Sequence, residues 1–471
     1  MVHFRFALVF SVFVVFVAYG QSALRFQDYF LDETLRVDYY HTGDKSDEIY
    51  SLDRLYRQGI WAGNPNSLID PSLSGRYRVQ LYDIASNRLI YSRGFDTYFG
   101  EYKTTEPAKS GIKRTFHEAA LVPYPRSPIL FVIESRDRNN LYHALFTQRI
   151  DPADYHIVKE SPKRGDSVID VLNNGDPHNH VDLLFVAEGY TAHEKGKFEQ
   201  DLRRFSELIF GWEPYRSLKS RFNIRGIFSA SPESGVDEPR QGVYKHTLLN
   251  ASFNALDTDR YLLSEEDKTL RDIAAQAPYD AVLILVNSNR YGGGGIYNDY
   301  TIFTSDGSWN EYVFLHEFGH AFAGLADEYY TRDVSYGEFF PQGVEPVEPN
   351  LTALLNPAEL KWKALVSPGL PIPTPWGQET YDSLTTLRDS LYRSGNKSKD
   401  LLKTVNDRIQ RFFMDHPLRG KIGAYEGGGY VPKGLYRPTV NSLMNQFNEQ
   451  EKTMYGVNEQ AVTRVIQFYT E

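Results

Sequence analysis

Hydrophobic and polar positions follow two rhythms along this chain. Over about residues 24–157 the period is two. Tyr77, Val79 and Leu81 alternate with Arg78, Gln80 and Tyr82, a polar turn at Ser86 and Asn87 leads into Leu89, Ile90 and Tyr91, and Ile129 to Ile133 form a short apolar run after Pro128. Short aromatic-rich runs separated by Gly, Pro, Asn and Asp predict antiparallel strands in a sandwich. No cluster of chemistry-bearing residues stands out in this half, which reads as an accessory domain.

Residues 159–166 are polar and interrupted by Pro162 and Gly165, which marks a boundary. Beyond it the rhythm changes. Residues 181–187 form a continuous apolar run, the mark of a buried strand, and Thr191 is placed to cap a helix running to about Phe210. Residues 222–229 predict a second strand, Ser264 and Asp267 open a helix to about Ala277, residues 281–286 predict a third strand and residues 300–304 a short fourth. Strand alternating with helix argues for an α/β core with helices on its faces. Residues 378–413 carry mixed charge at helical spacing and read as a helical elaboration.

The first residues change the compartment. His3 and Arg5 precede the apolar run 6–17, and Ala18-Tyr19-Gly20 offers small residues before Gln21. Twelve helical residues reach roughly 18 Å, short of a bilayer core of about 30 Å. The pattern predicts a cleaved secretory signal peptide over residues 1–20. The expected organisation is therefore signal peptide 1–20, β-sandwich-like domain 21–160 and catalytic domain 161–471, secreted or periplasmic, with no membrane span after cleavage. Composition narrows the chemistry. A net charge of −10 without a basic block argues against nucleic acid as a partner. The absence of cysteine removes thiol catalysis, cysteine metal sites and disulfides together.

One motif carries the chemistry: His316-Glu317-Phe318-Gly319-His320. On a helix, His316 and His320 stand one turn apart and face the same way, so two imidazole nitrogens can reach one metal. Glu317 flanks that face, where a carboxylate can take a proton from an activated water. Leu315, Phe318 and Phe322 are spaced to pack the helix into a core and hold the rings rigid. Gly324 follows, a residue that lets the chain turn back, and then Asp327 and Glu328. Asp327 comes three residues after the glycine, the spacing of a third ligand in extended zinc motifs, and Glu328 competes with it. Met444, after the turn-rich Arg437-Pro438, is a candidate for the methionine floor of such a site, with an ordinary core position as the alternative. Gly292 to Gly295 lacks the Lys-Ser/Thr ending of a phosphate loop and reads as a mobile rim near the helix or a tight turn. Asp176, His178 and His180 offer a second metal cluster or simply a turn. Glu426, Tyr430 and Arg437 are candidate cleft residues, Tyr430 for an oxyanion and Arg437 for a carboxylate.

Residues 316–329 closely resemble the bacterial family of zinc metallopeptidases named for an immunoglobulin A peptidase. Residues 181–191, 291–298, 423–430 and 435–438 are similar to it as well, as is the sandwich-like first half. The resemblance implies an α/β zincin-type (metzincin-like) catalytic domain preceded by an all-β sandwich-like N-terminal domain. It implies a secreted zinc-dependent endopeptidase acting on protein or peptide, with one Zn2+ per chain held by His316, His320 and Asp327, and Glu317 as catalytic residue. The family's name does not make immunoglobulin A the substrate. The expected peptide-pairing edge is the strand 300–304. Two rival readings are an exported peptide- or glycan-binding protein with a structural metal, and a zinc amidase or deacetylase acting on cell-wall material.

Overall fold

The computed structural model describes residues 24–72, 74–159, 166–331, 339–393, 399–446 and 452–471. The signal peptide expected at residues 1–20, and most of the boundary expected at 159–166, lie outside the described residues. Seven strands come first: β1 (Phe30–Gly43), β2 (Glu48–Gln58), β3 (Tyr77–Asp83), β4 (Arg88–Phe95), β5 (Arg114–Pro125), β6 (Ile129–Arg136) and β7 (Tyr142–Ile150). They form two antiparallel sheets, in the orders β2-β1-β5 and β4-β3-β6-β7. Alternation buries one face of each. Leu35, Val37 and Val122 from the first sheet meet Val79, Leu81, Phe131 and Ile133 from the second in one core. Three short helices accompany these sheets, α1 (Phe26–Tyr29), α2 (Tyr98–Tyr102) and α3 (Glu106–Lys109).

A six-stranded mixed sheet follows, in the order β12-β13-β11-β9-β10-β8. Its strands are β8 (Ser167–Leu172), β9 (Val181–Glu188), β10 (Phe222–Phe228), β11 (Ala281–Val286), β12 (Gly293–Ile296) and β13 (Tyr300–Thr304). The central strands β10, β9, β11 and β13 run parallel, and both edges are antiparallel. The unbroken apolar run of β9 is explained by cores on both faces. Leu183 and Phe185 join one core and Leu184 and Val186 the other. The first core is shared with α4 (Lys195–Ile209), which enters through a Thr191–Glu194 capping box. The second takes Leu270 and Ile273 of α5 (Asp267–Ala274). The long helix α6 (Asn310–Ala323) lies against β12 and β13. Two helices α7 (Gln378–Arg393) and α8 (Lys399–Met414), a hairpin β14 (Tyr425–Gly428) and β15 (Val431–Arg437), and α9 (Gly456–Thr470) complete the chain. Among the described residues, no helix is long and apolar enough to cross a membrane.

The strand 300–304, expected at the edge, is instead interior. β12 pairs on its outer side, so the edge of the sheet is the glycine run itself. Gly293 to Gly295 therefore form a strand rather than a tight turn, and none of them has positive φ; they line the cleft beside the helix.

The first sheets dock on α5 through charge. Arg36 holds Asp38 with two bonds of 2.6 Å and reaches Asp272 at 2.7 Å. Lys268 pairs with Asp53 at 2.6 Å. His117 stands between Asp267 (3.2 Å), Asp38 (3.3 Å) and Asp53 (3.7 Å). The paired cations make this an ion network, although Asp38, Asp53 and His117 are close enough to resemble a metal cluster. Burial alone would push the His117 imidazole down, but Asp267 and Asp38 outweigh it and lift it to about 9. A His in the unfolded chain titrates near 6.5. The contribution of charged His117 is thus complete below about pH 6.5 and is lost as pH rises through about 9. The melting temperature is expected to fall over that interval and His117→Gln to flatten the fall. An unchanged slope in the variant contradicts the assignment.

Candidate metal centre

Helix α6 is buried almost all round. Leu315, Phe318 and Phe322 are at most 2 % exposed and pack with Phe185, Phe205 and Phe303. This packing presents His316 and His320 on one side, their Nε2 atoms 3.2 Å apart. The other nitrogen of each ring is tied to main chain. Nδ1 of His316 donates to the Leu443 carbonyl at 3.0 Å, and Nδ1 of His320 donates to that of Leu325. Those acceptors fix the tautomers, so both Nε2 lone pairs point into the site.

The chain then turns back. Gly324 is left-handed (φ +60°), and Leu325 N–H bonds back to the Gly319 carbonyl. The reversal brings Asp327 Oδ1 to 3.0 Å from His316 Nε2 and 3.4 Å from His320 Nε2. That oxygen is buried and has no hydrogen-bond partner. Its other oxygen accepts from the Tyr430 hydroxyl at 2.6 Å. Asn350 clamps the preceding residue at both ends, accepting from Ala326 N (2.8 Å) and donating to Ala326 O (2.9 Å). Glu328 N donates to Met444 O, and Gly429 N to Asp327 O.

Glu328 faces the other way. Its carboxylate accepts from Asn350, Asn458 and Ser442 at 2.8–3.0 Å. It is a buried anchor rather than a participant in the cluster, and burial lifts its pKa against those three bonds. Met444 is fully buried beneath the helix, its Sδ 3.0 Å from where a Cβ on Gly319 would stand. Glu317 is half-buried and lines a cleft of about 130 Å³ with His316, His320, Asp327, Tyr329 and Tyr430.

Three lone-pair atoms thus converge with no hydrogen between them. Without a cation the conflict is relieved by protonation. Burial would depress His320, but Asp327 overrides it and raises the ring to about 9. Burial would likewise raise Asp327, but His320 and His316 hold it well below the usual carboxylate range. A divalent ion is the other way to satisfy two imidazoles and a carboxylate, and this nitrogen–oxygen set suits zinc. The residues present therefore fit a metal.

The other expected residues are dispersed. Asp176, His178 and His180 do not converge: His178 bonds Gly63 O and Asp32, and His180 bonds Asp176 O. Arg437 meets no substrate space. It is fully buried, bonds the carbonyls of Glu426, Gly427 and Val440, and stacks 4.4 Å over Trp376. Glu426 accepts from Gly434 N within the β14–β15 hairpin. The hydroxyl of Tyr430 donates to Asp327 Oδ2, and the residue lines the cleft. Asn350, Asn458 and the Leu443 carbonyl were not foreseen, because nothing local marks them as neighbours of the motif.

Residues 169–466 match the family model of IgA Peptidase M64, and residues 25–147 match that of the Peptidase M64 N-terminus. The first match alone covers more than half of the chain, which therefore belongs to this peptidase family. A comparison with curated proteins found no match.

The glycine strand explains how closely the sheet edge approaches the helix. A Cβ on Gly295 would stand 2.2 Å from the Glu317 carbonyl oxygen. Gly295→Ala is expected to cost about 1–3 kcal/mol, as overpacking does, read as a fall in denaturation midpoint. Gly196→Ala, where nothing lies within 4 Å, is the control. Equal midpoints for both variants contradict the close approach.

Proposed function

We propose that this family member is a secreted, zinc-dependent endopeptidase with a zincin-type catalytic domain, exported by a signal peptide over residues 1–20. His316, His320 and Asp327 hold one zinc ion. The observation that carries this reading is the convergence of two Nε2 atoms and Asp327 Oδ1 within 3.4 Å, with each ring's Nδ1 already bonded to a main-chain carbonyl. Among the described residues three ligand-type groups meet here rather than four. That number favours a catalytic site with an open position over a closed structural one.

A bound zinc ion supplies Lewis acidity toward water and a substrate carbonyl. The chain's own residues do the rest. Glu317, beside the first histidine, accepts a proton from the attacking water and returns it to the leaving amine. Leu443 O and Leu325 O keep both rings in the tautomer whose Nε2 is free. Tyr430 holds Asp327 Oδ2, so Oδ1 stays turned toward the rings. The hydroxyl is therefore a positioning group. Met444 supports the helix from below.

Glu317→Gln is expected to retain about one zinc per chain by elemental analysis and to lose about 10²–10⁴-fold in kcat/KM on a peptide substrate. Unimpaired cleavage by that variant ends the assignment. Tyr430→Phe is expected to weaken zinc binding about 10–100-fold, the usual effect of losing a partner behind a ligand, measured by competition with a chelator. Unchanged zinc affinity removes the positioning role.

A further inference from the structure

The antiparallel first half is not remote from the chemistry. Gly75, Asp96 and Glu101 line the same cleft as His316, Glu317 and Asp327. The end of β4, next to Asp96, is fastened to the turn between β12 and β13. Asp96 N donates to Tyr297 O at 2.8 Å, and Asn298 Nδ2 donates to Gly94 O at 2.6 Å. Glu348, from the segment beyond the metal helix, lines the cleft as well. Its Oε2 is buried and has no hydrogen-bond partner.

The charge on this wall is lopsided. The carboxylates facing the cleft are Asp96, Glu101, Glu317, Asp327 and Glu348. Apart from the two histidines, the basic residue lining it among the described residues is Arg260, beside the Tyr329 hydroxyl at 3.3 Å. Behind the wall, Arg76 lies 3.6 Å from Glu101, and its main-chain N–H donates to Asp96 at 2.7 Å. Lys361 bonds the carbonyls of Pro346, Glu348 and Leu351 and pairs with Glu345. Burial lifts Asp96 to about 6, with Arg76 opposing and Glu101 and Glu348 adding to it. Burial also raises Glu348, against Lys361, Arg76 and Arg136. Among these groups Glu348 Oε2 keeps no hydrogen-bond partner, whereas a buried polar atom in a purely structural role is ordinarily satisfied.

We propose that Asp96, Glu101 and Glu348 form a cation-selecting subsite, so that the enzyme prefers substrates carrying an ammonium or guanidinium group near the scissile bond. This rests on the peptidase reading of the cleft. A substrate cation seated there meets three half-buried carboxylates, whereas an acidic side chain meets repulsion in a partly dry site. The first half then belongs to the substrate site and is more than an accessory.

The test is kcat/KM on matched peptides carrying Lys, Gln or Glu at each of three positions on either side of one cleavage point. Each peptide is made with a free and an acetylated N-terminus. The wild-type zinc enzyme is expected to favour Lys over Gln by about tenfold or more and to disfavour Glu, with the preference shrinking as salt rises. Glu348→Gln is expected to cut the Lys:Gln ratio severalfold, and Glu101→Lys to shift preference toward Glu. Preference that survives acetylation assigns the cation to a side chain, and preference abolished by it assigns the cation to the chain terminus. Either supports the subsite. Equal rates for Lys, Gln and Glu, or a ratio unmoved in both variants, overturn it. Glu317→Gln separates the two claims: if it is inactive while the wild type lacks charge preference, the subsite fails and the peptidase reading stands.

Discussion

Two imidazole nitrogens and one carboxylate oxygen are held together with nothing between them, and much of the second half of the chain serves to keep them so. Lone pairs within 3.4 Å repel unless a proton or a cation intervenes. Their positions must therefore be imposed from outside. The imposition comes from the adjoining turn and from far along the sequence: carbonyls of Leu325 and Leu443 on the rings, Tyr430 on the carboxylate, and Asn350 and Met444 on the main chain around Asp327. Each tie to a buried polar group is worth roughly 1 kcal/mol net, and leaving such a group unsatisfied costs more. The cluster is thus coupled to folding of the hairpin β14–β15 and of the segment after it.

The helix carrying the rings is fixed by apolar packing on one side and by a strand without side chains on the other. β12 approaches so closely that a methyl group at Gly295 would strike the Glu317 carbonyl. Close approach sets the distance between the sheet edge and Glu317. A strand of ordinary residues would hold the helix farther away and widen the cleft.

Local signals were legible in the sequence and distant ones were not. Residues 310–324 could be read because apolar spacing, the His-Glu-x-x-His pattern and Gly324 all fall within one helix and its cap. The strands at 181–188, 222–228 and 281–286 were visible as apolar runs because cores lie on both of their faces. β12 was misread because three glycines carry no strand propensity, and their reason is a neighbour, not a φ angle. Arg437 reads as a partner for a substrate carboxylate or an internal acid; it is buried away from the cleft, bonds carbonyls, stacks on the Trp376 ring and feels the charge of Glu328. Spacing from Gly324 favours Asp327 over Glu328 but does not say what holds Glu328 away. That role falls to Asn350, Ser442 and Asn458, which claim Glu328 from 22, 114 and 130 residues away. The contribution of Asp96 and Glu101 to the cleft depends on how two sheet systems dock, which no local pattern encodes.

The most direct measurement is anomalous diffraction at the zinc absorption edge from crystals of the zinc-loaded protein. The account predicts one strong peak bonded to Nε2 of His316, Nε2 of His320 and Oδ1 of Asp327, at about 2.0–2.2 Å from each. A peak elsewhere, or one that contacts Glu328 in place of Asp327, contradicts it.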